Sequence, residues 1–311
     1  MQSFFVVSGE NVELAKDEIV AISKSYDKNT SYETGPKLVI TNSNVSWDKI
    51  ARRATFVRTA GKIVDTFSDL FLEIDLILLH KSDTFACKAI NLSSKRIDLS
   101  GIEKTVGATI KQASGARVSL SNPALTVYLI FTDNQNYLGY STRILPQKRP
   151  KKVIKSPFEL NWKLSRAMVN LSGLNEKETL CDPFCGTGTI LLEAESMGIK
   201  SIGIDFDKKM CDVTKKNLAA NGYHSKIINS RYEHIKKISF DGIVTDLPYG
   251  ISSKSSESPK KLIHDFVSTI PKKTKLALMC KKELVDQIEL KQAKRYEIYR
   301  HKSLTRIILL K

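Results

Sequence analysis

Residues 179–193 decide the fold of the carboxyl-terminal half and read Thr-Leu-Cys-Asp-Pro-Phe-Cys-Gly-Thr-Gly-Thr-Ile-Leu-Leu-Glu. A strand ending at Asp182 runs into a turn with Gly186 and Gly188, and the chain continues as a helix. Because glycine has no side chain, backbone in such a turn can approach a ligand closely at the carboxyl edge of a sheet. A dinucleotide site would need a third glycine where Leu191 stands, and no Gly-Lys-Ser/Thr follows, so pyrophosphate and Walker A sites are disfavoured.

Asp205 ends the next predicted strand, 17 residues after Gly188. A carboxylate at this place can accept hydrogen bonds from both hydroxyls of a ribose. Asp182, the two glycines and Asp205 therefore favour a nucleoside ligand without a pyrophosphate, and S-adenosylmethionine meets that description. The alternative is that the glycines form only a tight turn and the aspartates cap helices.

A second motif, Thr245-Asp-Leu-Pro-Tyr-Gly250, follows a later strand of the same predicted sheet. The Asp246 carboxylate and the backbone carbonyl of Leu247 could accept the N–H groups of an exocyclic amine, Pro248 shapes the turn, and Tyr249 could stack on a planar base. A base would have to leave its stack to enter such a pocket. The alternative is a capping aspartate in an ordinary turn.

Strands and helices alternate from about residue 158 to residue 246, which is typical of a doubly wound α/β sheet, and two β-rich runs at 293–299 and 304–310 predict a terminal antiparallel hairpin. Residues 1–145 instead predict an α+β region. It includes a helix over 71–79 and a hairpin formed by strands at 125–131 and 137–142, and it carries no cluster of chemically competent side chains.

A basic, proline-containing segment near residues 145–155 separates these two regions. Its two prolines favour an extended linker. Its lysines and arginines either remain solvated or contact phosphates, and the sequence leaves both possibilities open.

The charge of the chain is strongly positive, with 49 Lys and Arg against 33 Asp and Glu, a net +16. Residues 1–150 carry 19 basic against 15 acidic residues, a net +4, and the remainder carries 30 against 18, a net +12. Such an excess indicates a polyanionic partner, either nucleic acid or an anionic membrane surface, and nucleic acid is the favoured interpretation.

Other sequence features exclude several classes of protein. No apolar run approaches the roughly 20 residues of a membrane span, and the amino terminus lacks the pattern of a signal peptide, so we expect a cytoplasmic protein without membrane association. The five cysteines are scattered and odd in number, which argues against a disulfide framework. Neither the cysteines nor the five histidines have metal-ligand spacing, so we expect no metal.

The two motifs together resemble those of class I, S-adenosylmethionine-dependent methyltransferases that act on adenine N6 or guanine N2. The flanking segments narrow the resemblance to the THUMP-containing tRNA (guanosine-10 N2) methyltransferase family of archaeal type, over nearly the whole chain. These segments are Ser8–Glu18, Arg52–Arg58, Gly115–Pro123, the basic linker, Leu164–Leu171 and His301–Arg306.

The resemblance implies a fold, a set of domains and a reaction. The fold is an α+β amino-terminal region, made of a ferredoxin-like domain and a THUMP domain, followed by an α/β Rossmann-type methyltransferase domain. The reaction is transfer of one or two methyl groups from S-adenosylmethionine to the N2 amine of a guanosine in tRNA, with position 10 favoured, by a monomer or weak homodimer. The implied boundaries are 1–52 for the ferredoxin-like domain, 53–145 for the THUMP domain, 146–155 for the linker and 156–311 for the methyltransferase domain.

The resemblance also assigns residues to three sites. The cofactor residues are Asp182, Phe184, Gly186, Gly188, Asp205, Phe206 and Ser230. The catalytic residues are Asp246, Leu247, Pro248 and Tyr249. The candidate RNA contacts are Arg117, Lys148, Arg149, Lys151 and Lys152.

The chain departs from the family pattern at two of these positions. Leu247 replaces the first proline of the usual Asp-Pro-Pro-Tyr, and Asn229-Ser230 stands where an aspartate often holds the adenine amine. Three alternatives therefore remain: N2-guanine methylation at another tRNA or rRNA position, adenine-N6 methylation, and a non-catalytic RNA-binding scaffold.

Overall fold

The computed structural model describes residues 1–9, 11–68, 83–143, 149–157, 159–248, 258–288, 294–301 and 304–311. The chain forms two compact units, the first made of Met1–Arg52 with Phe56–Gln147 and the second of Arg53–Thr55 with Lys148–Lys311. Among the described residues, no helix combines the length and the apolar character that a membrane crossing requires.

The first unit is an α+β structure. Its elements, in chain order, are β1 (Gln2–Val7), α1 (Val12–Tyr26), β2 (Ser31–Thr34), β3 (Leu38–Asn42), α2 (Trp47–Arg53), β4 (Val57–Phe67), β5 (Thr84–Asn91), α3 (Leu99–Ser114), β6 (Arg117–Val118), β7 (Leu125–Phe131) and β8 (Asn136–Thr142). The strands form one sheet in the order β2-β3-β1-β4-β8-β7-β5-β6.

The family resemblance implies two domains in this region, and the strands of both residue ranges lie in one sheet. The reason is the length of β4, which pairs with β1 over residues 57–62 and with β8 over residues 62–67. Phe4 of β1 is fully buried beside this junction. A Cβ atom at Gly61 or at Gly139 would lie 2.7 Å from the Phe4 ring, so glycine at these two strand positions lets the ring pack there.

The second unit contains the predicted doubly wound sheet. Its elements are α4 (Trp162–Leu171), β9 (Thr179–Asp182), α5 (Thr189–Ser196), β10 (Lys200–Asp205), α6 (Lys208–Ala219), β11 (Lys226–Asn229), a 3-10 helix (Tyr232–Lys237), β12 (Gly242–Asp246), α7 (Pro259–Thr269), β13 (Lys275–Lys281), a second 3-10 helix (Lys282–Gln287), β14 (Lys294–His301) and β15 (Leu304–Leu310).

The sheet order is β11-β10-β9-β12-β13-β15-β14, parallel from β11 to β13 and antiparallel at β15 and β14. This confirms the predicted terminal hairpin. The chain builds outward from β9 to β10 and β11 on one side and then returns to β12 and β13 on the other. Such a switch point opens a crevice outside the carboxyl ends of β9, β10 and β12, where ligands of this architecture bind.

Several predicted boundaries differ from those observed. Helix α4 begins at Trp162 and not at Phe158, because Asn161 caps it by accepting a hydrogen bond from the backbone N–H of Lys163 at 2.8 Å. The helix predicted over 71–79 lies outside the described residues. The hairpin of β7 and β8 is confirmed.

A short segment from the amino-terminal half belongs to the second unit, which the sequence did not indicate. The guanidinium of Arg53 donates from Nε to Asn170 Oδ1 at 2.8 Å, and its backbone carbonyl accepts from Arg166 Nε and Asn170 Nδ2, each at 3.0 Å. Arg166 in turn pairs with the buried Glu193 at 3.0 Å. Arg53 is thus held by a buried polar network of α4 and α5.

Candidate active site

Three carboxylates end the three central parallel strands. Asp182 ends β9, Asp205 ends β10 and Asp246 ends β12. The hydroxyl of Thr245 donates to Asp182 Oδ1 at 2.6 Å, so the end of β12 is tied directly to the end of β9. The structure thus brings the two sequence motifs together at one edge of the sheet.

The turn after β9 has a conformation that favours glycine at two places. Gly186 has φ of 50° and Gly188 has φ of 82°, both in the left-handed region. The amide of Gly186 donates to Asp205 Oδ2 at 2.9 Å, and its carbonyl accepts from the hydroxyl of Thr214 at 2.6 Å. The turn is therefore fixed between β10 and α6.

We expect Gly188→Ala to destabilise the protein more than an ordinary glycine substitution. A Cβ at this position would lie 2.9 Å from Thr214 Cγ2, in addition to the cost of the positive φ. Strain and overpacking together predict a loss of about 2–4 kcal/mol in the free energy of unfolding, measurable by urea titration.

The control for this substitution is Gly222→Ala. Gly222 has a similar φ of 75°, but in the described part of the chain no atom beyond its neighbours lies within 4 Å of the added Cβ, so the substitution should cost only about 1 kcal/mol. Adding Thr214→Ser to Gly188→Ala removes the clashing methyl group and should recover part of the loss. Equal losses for Gly188→Ala and Gly222→Ala would contradict the predicted clash.

The surroundings of Asp205 fit the nucleoside part of S-adenosylmethionine. Its carboxylate accepts from the amides of Gly186 and Asp207, each at 2.9 Å, and burial raises its pKa while these two hydrogen bonds oppose the rise. The next residue, Phe206, is 47% exposed, which is unusual for an aromatic ring and provides an apolar surface beside the carboxylate. Apart from its chain neighbours, no atom of the described residues lies within 4 Å of a Cβ built on Gly186, so the turn leaves space for a ligand.

Asn229 and Ser230, where the family pattern differs, also hold this region. The side-chain amide of Asn229 donates to the carbonyls of Asp205 at 3.0 Å and Phe206 at 2.9 Å. The backbone N–H of Ser230 donates to the Asp205 carbonyl at 3.0 Å. Asn229 thus fixes the loop after β10, and Ser230 follows at the end of β11.

Asp182 lies beneath the turn, with 2% of its surface exposed. Burial, together with the negative charges of the neighbouring Asp205 and Asp246, raises the pKa of its carboxyl group to about 7. The hydrogen bonds from Thr245 and from the backbone N–H of Phe184 act in the opposite direction.

The raised pKa predicts a pH-dependent effect of Asp182→Asn. Between about pH 4 and pH 7 the folded state binds more protons at Asp182 than the unfolded state does. The stabilisation from this protonation is complete below about pH 4 and is lost as the pH rises through about 7. Asparagine does not titrate, so the unfolding free energy of the variant relative to the wild type should increase from about pH 5 to about pH 8.

Urea unfolding at several pH values measures this difference. Asp133→Asn is the control, because hydrogen bonds from Ser94 lower the pKa of Asp133. The unfolding free energy of Asp133→Asn relative to the wild type should therefore stay constant over the same pH range. A pH-independent difference for Asp182→Asn would contradict the prediction.

Arg306 is a site residue that the sequence motifs missed. It lies in β15, only 2% of it is exposed, and its Nη1 donates to Asp246 Oδ2 at 2.8 Å. The side chain of Asp246 keeps 18% of its surface exposed. The sequence offered one signal for this role: Arg306 is a cation inside the apolar strand Leu304–Leu310. A buried charge requires a partner.

Of the remaining predicted catalytic residues, the structure describes Leu247 and Pro248. Leu247 is fully buried, and its backbone N–H donates to the Met279 carbonyl at 2.8 Å, which continues the β12–β13 pairing beyond Asp246. Pro248 is half-buried. Tyr249 lies outside the described residues.

Phe184 lies in the turn but contributes to the core. Its ring contacts Tyr232 and Phe266, with centroid distances of 5.7 and 5.1 Å. It therefore supports the Gly-x-Gly turn from below, and its direct contact with a cofactor stays a prediction.

The candidate RNA contacts have different environments. Arg117 and Lys151 are exposed. The guanidinium of Arg149 lies 3.4 Å from the centroid of the Trp162 ring. Lys152, by contrast, is half-buried, and its ammonium group is hydrogen-bonded within the second unit. Lys148 lies outside the described residues.

Metal and cysteine chemistry find no support in the part of the chain that the structure describes. No group of three or more His, Cys, Asp or Glu side chains there is arranged to hold a metal ion. All five cysteines are buried, and burial raises the pKa of Cys181 and Cys185 beside Asp182, which disfavours a reactive thiolate.

Comparison with known proteins agrees with this geometry. The family model for an RMKL-like methyltransferase domain matches residues 149–303, and a DNA methylase model matches residues 2–216. The solved structure of TrmN from Thermus thermophilus is similar over 100% of this chain and 99% of its own, with a TM-score of 0.56 and 18% identity, which shows a shared fold.

Several curated proteins resemble this chain in sequence. The tRNA (guanine(10)-N2)-dimethyltransferase of Methanocaldococcus jannaschii is 29% identical over 98% of this chain and 97% of its own length. The "Probable tRNA (guanine(10)-N2)-dimethyltransferase" of Methanothermococcus thermolithotrophicus is 36% identical over 47% of this chain and 95% of its own length. The chain therefore belongs to the tRNA (guanine(10)-N2)-dimethyltransferase family, and its second unit contains an RMKL-like methyltransferase domain.

Proposed function

We propose that this chain transfers methyl groups from S-adenosylmethionine to the exocyclic N2 amine of guanosine in tRNA, at position 10. The observation that carries the proposal is the junction of the two motifs, where Thr245 bonds Asp182 and Arg306 holds Asp246. At this junction Asp246, a hydrogen-bond acceptor for an amine, lies near the Gly-x-Gly turn, which suits a nucleoside. The names of the relatives support guanosine 10 as the target.

The turn and the ends of β10 and β11 would hold the cofactor. Gly186 and Gly188 would allow close approach of backbone, Asp205 would accept hydrogen bonds from the ribose hydroxyls, and Phe206 with Ser230 would border the adenine. When bound there, S-adenosylmethionine supplies an electrophilic methyl group.

Asp246 has the central role at the amine. The lone pair of a guanine N2 amine is delocalised into the ring, so the nitrogen is a weak nucleophile. Asp246 accepts one N–H and the backbone carbonyl of Leu247 accepts the other, which favours a pyramidal nitrogen with its lone pair exposed. The nitrogen loses a proton when it is alkylated, and in this proposal the Asp246 carboxylate receives it.

Arg306 acts through Asp246. Its guanidinium compensates the negative charge of the carboxylate and fixes the orientation of Oδ2. Tyr249, which lies outside the described residues, would stack on the extruded base. The second proline of the family motif is retained as Pro248.

The charge distribution supports tRNA as the partner. The net +12 after residue 150 lies largely in the methyltransferase region, so we propose that this region supplies much of the phosphate contact. Binding should then weaken steeply with salt. We further propose that the protein acts in the cytoplasm as a monomer or weak homodimer.

Mass-spectrometric nucleoside analysis tests the proposed activity. Unmodified tRNA is incubated with the protein and labelled S-adenosylmethionine, and labelled N2-methylguanosine is expected, followed by N2,N2-dimethylguanosine if the pocket admits a second transfer. Labelled N6-methyladenosine would support the adenine alternative. Intact tRNA binding without any methylated nucleoside would support the non-catalytic scaffold. Because a DNA methylase model matches the chain, double-stranded DNA serves as the control and should not be methylated.

A further inference from the structure

The segment 149–157, which overlaps the linker predicted at 146–155, is bound to the rest of the second unit by two asparagines of the α6 region. Asn221 exchanges two hydrogen bonds with the backbone of Lys151, each at 2.8 Å. Asn217 is fully buried and accepts from the backbone N–H groups of Val153 at 3.1 Å and Ile154 at 2.9 Å. We name residues 149–157 the strap.

Asn217 also connects the strap to the Gly-x-Gly turn. Its side-chain N–H₂ donates to the carbonyls of Ile154 and Thr187, each at 2.9 Å. With two bonds donated and two accepted, the amide uses its full hydrogen-bonding capacity. One buried side chain therefore joins the strap to the residue that precedes Gly188.

Lys152 makes a second connection to the same turn. Its side chain is 9% exposed, and its ammonium group donates to Thr187 Oγ1 at 2.7 Å, to Thr189 Oγ1 at 2.8 Å and to Glu159 Oε2. These three acceptors match the three donors of an ammonium group. The two threonines flank Gly188, so Lys152 bridges the residues on either side of this glycine.

The position of this cation is unusual. Helix α5 begins at Thr189, and Gly188 caps it without a side-chain hydrogen bond. A positive charge at the amino terminus of a helix is unfavourable by itself, because the helix dipole is positive there. Burial also lowers the pKa of Lys152, while the hydrogen bond and charge of Glu159 oppose this shift. A lysine in this place must therefore gain its stability from the hydroxyls and from Glu159.

We propose that the strap positions the Gly-x-Gly turn for the cofactor, with Lys152 as its positioning residue. The inference rests on the proposed function, because it takes this turn as the S-adenosylmethionine site. It also replaces the sequence-based interpretation of Lys152 as a phosphate contact. Lys151, whose side chain is exposed, remains a candidate for that role.

Isothermal titration calorimetry with S-adenosylhomocysteine, using the full-length protein, tests the proposal. We expect Lys152→Met to weaken binding of this compound at least about tenfold, since the turn loses two of its hydrogen bonds. The matched control is Lys151→Met, which keeps the backbone bonds to Asn221 and should leave this affinity unchanged. Binding of tRNA, measured against salt for both variants, should weaken only for Lys151→Met.

Three results would overturn the proposal: unchanged S-adenosylhomocysteine affinity in Lys152→Met, an equal loss in Lys151→Met, or a loss of tRNA affinity confined to Lys152→Met. If Lys152→Met does not fold, the double substitution Thr187→Val with Thr189→Val removes the same hydroxyl acceptors, and unchanged affinity there would overturn it. Wild-type protein that binds no S-adenosylhomocysteine would contradict the proposed function itself, which distinguishes the two failures.

Discussion

Asp246→Asn is expected to lower kcat for methyl transfer to tRNA by about 10²–10⁴-fold, with little change in the affinity for tRNA or S-adenosylmethionine. Asparagine keeps the shape of the side chain and can still accept a hydrogen bond from Arg306, but it lacks the negative charge that holds the amine and receives its proton. Single-turnover kinetics with labelled cofactor measure the chemical step, and filter binding measures the affinity for tRNA.

The matched control is Asp241→Asn. Asp241 precedes the opposite end of β12, where its carboxylate accepts from the backbone N–H of Thr179 at 2.8 Å. Each substitution removes a negative charge at one end of β12, but only Asp246 lies at the proposed site. A normal kcat for Asp246→Asn, or an equal loss for Asp241→Asn, would remove Asp246 from the proposed mechanism.

Arg306→Met should destabilise the protein by about 3 kcal/mol and also lower kcat. The substitution leaves Asp246, a partly buried carboxylate, without its guanidinium partner, and breaking such a pair costs more than removing both charges. Urea unfolding measures the stability, and kcat and KM are measured separately, because a positioning role affects kcat with KM for tRNA largely unchanged.

A double-mutant cycle tests whether the two residues act as a pair. Combining Arg306→Met with Asp246→Asn should recover part of the lost stability but none of the activity, so the two losses are not additive. Arg306→Lys keeps the charge without the planar fork and should restore stability better than it restores kcat. Additive stability losses in the cycle would contradict the pairing.

Much of the second unit could be predicted because its information is local. The Gly-x-Gly turn, Asp205 and Asp246 each follow a strand directly in the sequence, and parallel strands bring their carboxyl ends to one edge. The sequence therefore indicated which side chains meet there. The hydrogen bond between Thr245 and Asp182 could not be predicted from the sequence, because it depends on β12 lying beside β9.

Residues that act through distant contacts could not be predicted in this way. Arg306 meets Asp246 across 60 residues because β15 returns antiparallel to β13. The sequence predicted an extended linker where the strap lies, because charges and prolines dominate its composition. Its docking depends on Asn217 and Asn221, more than 60 residues later. In the first unit, periodicity indicated strands but not that β4 pairs on both sides.

Replacement of single guanosines in tRNA by inosine tests the central claim most directly, because inosine lacks only the exocyclic N2 amine. We predict that a transcript with inosine at position 10 binds with normal affinity but accepts no methyl group at that position, while a transcript with inosine at position 6 is methylated like the unaltered tRNA. Undiminished methyl transfer to the inosine-10 transcript would contradict N2 methylation of guanosine 10.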